Sequence, residues 1–67
     1  MKLIVYVTAI RKAKRLTQAD LATLANVSRK TINTIENNVF VPSTILALTL
    51  AKVLDVSVHD LFALPDE

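Results

Sequence analysis

Thr17-Gln18-Ala19-Asp20-Leu21-Ala22-Thr23-Leu24-Ala25-Asn26-Val27-Ser28-Arg29-Lys30-Thr31-Ile32-Asn33-Thr34-Ile35-Glu36 is the stretch that decides the fold. Thr17 has the side chain of a helix N-cap, and Asp20 three residues on completes a shortened capping box. Leu21, Ala22, Leu24 and Ala25 then recur at helical spacing, which predicts a helix with one apolar stripe. Asn26 is the non-glycine residue that best tolerates the left-handed backbone needed after a helix, so Asn26-Val27 reads as a tight turn. Ser28 caps again, and Ile32 and Ile35 mark the buried side of a second helix from about Arg29 to Glu36. Only Asn26, Val27 and Ser28 separate the two helices.

Working outward, the apolar run Leu3 to Val7 is too short for a signal-peptide core or a spanning helix, and its β-branched and aromatic content predicts a short strand. A soluble, cytoplasmic protein is the expectation. Val7 and Ile10, followed by Arg11 to Arg15, predict a short helix from about Thr8 to Arg15 with a basic outer face, after which Leu16 returns to the core. Residues 37–42 form a loop with Phe40 expected to fold inward as its plug. Pro42-Ser43 starts a long helix through Leu54 that is apolar around more than one stripe. Asp55 ends it, Ser57 caps a short helix through Asp60, Leu61 and Phe62, and Ala63-Leu64 is the candidate second strand beside Leu3 to Tyr6.

Composition narrows the function. A chain of 67 residues holds one domain with one modest core, and 52% hydrophobic against 21% charged residues is too apolar for disorder. Aromatics are 4%, so that core is aliphatic. With no cysteine, one histidine (His59) and no glycine, thiolate chemistry and glycine-rich phosphate loops are excluded, and the expectation is a binding module with no catalytic residue, metal or cofactor. Charge is divided along the chain: residues 1–33 carry seven Lys and Arg against Asp20, a net of +6, while residues 34–67 carry Lys52 against five carboxylates, a net of −4. A basic first half suits a polyanionic partner.

Thr17-Gln18-Ala19-Asp20-Leu21-Ala22, Asn26 through Asn37, Pro42-Ser43 and Val56-Ser57-Val58-His59-Asp60-Leu61-Phe62 together resemble the Cro/C1-type (Xre-like) helix-turn-helix regulators over nearly the whole chain. Within that family the chain is most similar to very short single-domain members with an apolar start and a Phe-containing end. Asn26 and Arg15 stand where relatives often have glycine. The resemblance implies a mainly α, five-helix (lambda repressor-like) domain over residues 1–67, its helix-turn-helix at about 17–37, with a small two-stranded antiparallel sheet from the N- and C-terminal segments. It also implies that Thr31 and Asn37 lie near the DNA backbone and that Arg11 pairs structurally with Glu36.

A helix laid in the major groove must expose one face while Ile32 and Ile35 hold the other. That face carries Arg29, Lys30, Asn33 and Thr34, with Arg and Lys suited to guanine and Asn to adenine. Phosphate contacts are expected from Gln18 and Ser28 at helix starts, with Thr17 and Ser28 either caps alone or caps that also touch phosphate. The apolar surplus of the long helix, Ile45, Leu48 and Val53, is expected to meet a second copy of the chain. The resulting expectation is a homodimeric repressor that reads a palindromic duplex, with no membrane or small-molecule partner. The alternative is an antitoxin or accessory module of the same fold whose main partner is a protein.

Overall fold

The computed structural model describes residues 2–66. Along the chain run β1 (Ile4–Val5), α1 (Val7–Ala13), α2 (Gln18–Ala25), α3 (Arg29–Glu36), α4 (Thr44–Leu54), α5 (Val58–Leu61) and β2 (Phe62–Ala63). The strands pair antiparallel, Ile4 opposite Ala63 and Val5 opposite Phe62, so the two ends of the fold close on each other. The architecture is therefore mainly helical with a small terminal sheet.

Helix starts follow the side-chain caps. Thr17, Ser28 and Ser43 accept from the backbone N–H groups of Asp20, Thr31 and Leu46. At Thr17 the capping box is complete: the Asp20 N–H donates to Thr17 Oγ1 at 3.0 Å and the Thr17 N–H donates to Asp20 Oδ2 at 2.9 Å. Each such cap stabilises its helix by about 1 kcal/mol.

The first four helices end by a single device. Arg15, Asn26, Asn38 and Asp55 hold φ of 57–59° in a chain with no glycine. After each, the next residue's N–H reaches back five positions: Leu16 to Arg11, Val27 to Ala22, Val39 to Thr34 and Val56 to Ala51. In three of the four turns that residue, Leu16, Val27 or Val56, packs against the core, which anchors the turn. The fourth, Val39, is 77% exposed.

The core is aliphatic. Val7, Leu21, Ile32, Ile35, Leu50, Leu54 and Leu61 are fully buried, with Ala22, Ala25 and Ala51 between them letting backbones approach. α2 packs on both α3 and α4, and α5 closes the far end. Truncating one of these leucines costs about 2–5 kcal/mol.

Several expectations need correction. α1 stops at Ala13, because Arg15 turns left-handed to bring Leu16 back to the core. Leu24 is half exposed: Leu21 and Ala25, four apart, define the buried stripe of α2, and Leu24 lies beside it. Phe40 does not plug the core and remains 46% exposed, since its N–H and that of Val39 both bond to the Thr34 carbonyl and hold the loop against α3. Phe62 is extended, at φ −137°, and pairs in β2, whereas Leu64 lies past the strand and is exposed. Among the described residues no helix is long and apolar enough to cross a membrane.

Candidate nucleic-acid interface

The outward face of α3 is set by its inward one. Ile32 and Ile35 are wholly buried, so Lys30, Asn33 and Thr34 project to the opposite side with Arg29 at its edge. Arg29 and Lys30 are exposed, while Asn33 and Thr34 are half-buried. Two of these are partly committed. Thr34 Oγ1 donates to the Thr31 carbonyl at 2.9 Å, leaving the hydroxyl oxygen as an acceptor. Asn33 Oδ1 accepts from Asn37 Nδ2, which fixes the Asn33 amide with its NH2 available to an acceptor. Asn37 is thus brought to the same face as an orienting side chain.

The helix starts are equally organised. The Ser28 and Thr31 hydroxyls lie 2.9 Å apart, and Ser28 Oγ accepts the Thr31 N–H at 3.1 Å. Gln18 Nε2 donates to Glu36 Oε1 at 3.0 Å, so this side chain is oriented from beneath and keeps one further N–H. Thr17, Gln18 and Arg29 share a recess with Arg11, Lys12 and Arg15 at the N-terminus of α2. Lys12 and Arg15 were not among the expected site residues. Their signal was present as the basic run Arg11 to Arg15, but only the end of α1 at Ala13 and the left-handed Arg15 bring that run beside α2.

Beneath this surface lies the Arg11–Glu36 pair. Arg11 Nε donates to Glu36 Oε2 at 2.7 Å, Nη2 donates to Oε1 at 3.1 Å, and Nη1 donates to the Leu16 carbonyl at 2.8 Å. The two side chains are 9% and 4% exposed. Burial pushes the Glu36 carboxyl up, but hydrogen bonds from Arg11, Gln18 and Thr8 outweigh it and hold the group below the ordinary glutamate range. The hydrogen bond to Glu36 in turn raises the Arg11 guanidinium, against its burial. The network ties the end of α3 to α1 and to the start of α2.

On α4, Ile45 is 79% and Leu48 54% exposed, and they lie on one side with Thr49 and Lys52. Val53 sits at the margin of that side, half-buried and packed against the core. The exposed apolar strip is therefore Ile45 and Leu48, without Val53.

Two capped helices joined by a three-residue turn, the second with its polar face outward beside a basic recess, define a helix-turn-helix DNA-binding fold. The chain belongs to the helix-turn-helix family, Cro/C1 type, whose pattern matches residues 7–61. It is 42% identical over 57 residues to an uncharacterized HTH-type transcriptional regulator of Methanocaldococcus jannaschii, covering 85% of this chain and 86% of that relative. Among solved structures it resembles the restriction-modification controller protein C.AhdI of Aeromonas hydrophila, with a TM-score of 0.77 and 30% identity over 81% of this chain and 82% of that one. It also resembles SinR, the master regulator for biofilm formation, solved in complex with DNA, with a TM-score of 0.74 and 35% identity over 79% of this chain and 86% of that one. The chain is a transcriptional regulator with a DNA-binding fold.

Proposed function

We infer that the protein is a repressor that binds a palindromic operator as a homodimer, inserting α3 into the major groove. The observation that carries this reading is the α3 face itself: four hydrogen-bonding side chains opposite two wholly buried isoleucines. Arg29 and Lys30 supply donors for guanine, Asn33 an amide for adenine, and Thr34 an acceptor and a methyl. Thr17, Gln18, Ser28, Thr31 and Asn37 meet the phosphates that fix register, aided by Lys12 and Arg15. Ile45 and Leu48 meet their counterparts across a two-fold axis, which spaces two α3 helices about 34 Å apart on one side of the duplex. The DNA complex of SinR supports the mode of binding.

Selection of bound sites from random duplexes tests this reading. A palindrome with half-sites one turn apart supports it, and an unenriched pool contradicts it. A second reading has one observation in its favour: Leu3, Val41, Pro42, Ala47, Leu48 and Phe62 line an apolar recess that could seat a protein partner. SinR has also been solved in complex with another protein, SinI. An unenriched pool together with a stable heterocomplex would favour this second reading.

A further inference from the structure

Adenine and guanine differ in the major groove by one exchange. Both offer N7 as an acceptor, but beside it adenine carries the N6 amino donor and guanine the O6 acceptor. An asparagine amide can undergo the matching exchange, because a half-turn about its last bond swaps its oxygen for its NH2 with almost no change of shape. Free to turn, Asn33 can offer its oxygen to N6 of adenine or its NH2 to O6 of guanine, so the residue type alone does not separate the two purines.

In α3 that freedom is restricted by Asn37, one turn further along the same outward face. Asn37 Nδ2 donates to Asn33 Oδ1, and the Asn37 backbone N–H donates to the Asn33 carbonyl at 3.0 Å. The Asn33 oxygen is thereby held towards the C-terminal end of the helix and its NH2 away from it. An amide oxygen has two acceptor sites, and Asn37 takes one. The other, with the NH2 beside it, is the acceptor-and-donor edge that matches N6 and N7 of adenine. Turning Asn33 alone sets its NH2 against that of Asn37. Turning both amides restores a bond between them, but it points the Asn37 oxygen at the neighbouring phosphate, which only accepts. We propose that Asn37 is a positioning residue whose NH2 bridges a phosphate oxygen and Asn33 Oδ1, locking the Asn33 amide in the order that takes adenine and rejects guanine. The proposal rests on the reading of α3 as the groove-entering helix with Asn37 beside the phosphates.

The test reads base preference separately from affinity. On the selected duplex each adenine is exchanged in turn for guanine, with its complement, in one half-site at a time, and ratios of Kd are taken by competition titration. Wild-type protein is expected to prefer adenine at one position by roughly 5- to 150-fold, and Asn33→Ala to lose the preference there alone. Asn37→Ala, at an exposed site, is expected to weaken binding to every duplex and, at the Asn33 position only, to cut the preference for adenine by roughly 2- to 12-fold, the worth of one neutral hydrogen bond. Asn37→Asp, whose carboxylate accepts and so draws the Asn33 NH2 towards itself, moves the preference further towards guanine. A residue that serves only as a helix end or a phosphate contact changes affinity and leaves the ratio alone. That result overturns the proposal, as does a wild type with no adenine preference at any position that Asn33→Ala affects, while α3 reading the duplex survives both. Failure of the wild type to bind any duplex overturns the underlying reading instead.

Discussion

Replacing Arg11 by methionine tests the claim that a buried ion pair holds the two helices of the motif to α1. The substitution keeps most of the aliphatic stem and removes the guanidinium, which makes two hydrogen bonds to Glu36 and one to the Leu16 carbonyl. Glu36 is then left with Gln18 and Thr8 on a side chain that is 4% exposed. Removing one partner of a fully buried pair costs about 3–5 kcal/mol, and this pair, whose Arg11 borders the recess at the start of α2, falls at the low end of that range. A chain of this length has a total stability of about 3–10 kcal/mol, so Arg11→Met at neutral pH should bring the protein close to its unfolding midpoint. Urea denaturation followed by circular dichroism measures the loss. Replacing both partners, as Arg11→Met with Glu36→Leu, should recover most of it, because no buried charge remains unpaired.

The pH dependence sharpens that test. In the wild type the Glu36 carboxyl is held below its unfolded value, so its contribution is fully present above about pH 4.3 and is lost as the pH falls through the folded value below that. In Arg11→Met the main downward influence is gone and burial pushes the carboxyl up. Acidification therefore costs the variant less than it costs the wild type, and the gap between them should narrow as the pH falls. A gap below about 1 kcal/mol at pH 7, or one that stays constant on acidification, would refute the account of this network.

Three further outcomes follow from the interface. Arg29→Ala and Lys30→Ala should each cost about 1–3 kcal/mol on the preferred duplex and relax preference at one position per half-site, read by competition titration against single-base variants. The logarithm of affinity should fall linearly with that of salt, by about 0.9 for each phosphate contacted, and Lys12→Ala or Arg15→Ala should each reduce that slope by about one contact in fluorescence titrations. Ile45→Asp should weaken self-association in equilibrium sedimentation, and DNA affinity with it, while leaving helicity intact. Val53→Asp should instead lower stability itself, because Val53 packs on the core.

What was legible in the sequence was whatever one or two residues determine alone. Thr17, Ser28 and Ser43 announce helix starts because a side-chain oxygen three residues before a free N–H has one favourable use. Ile32 and Ile35 announce the buried face of α3, and with it the four outward side chains, because their spacing fixes a direction. Asn26 announces the turn through its tolerance of positive φ. Arg15 hides the same conformation behind a side chain that rarely adopts it, so local pattern extends α1 two residues too far and does not report the basic recess beside α2. The direction of Phe40 depends on two N–H groups sharing the Thr34 carbonyl, and the strand at Phe62 depends on Val5 across the fold. The strand is set by a partner distant in sequence, and the turn at Phe40 by main-chain bonds to a residue six positions back, neither of which side-chain pattern specifies.

The central claim is that the exposed face of α3 reads a particular duplex sequence. The most direct measurement is the ratio of affinities for the selected duplex and a scrambled one of equal length, at about 0.15 M salt. A ratio of at least about 10³ is expected for the wild type, falling towards one for Arg29→Ala combined with Lys30→Ala while residual binding to both duplexes persists. A wild-type ratio near one, or a high ratio unchanged in the double variant, would contradict the claim.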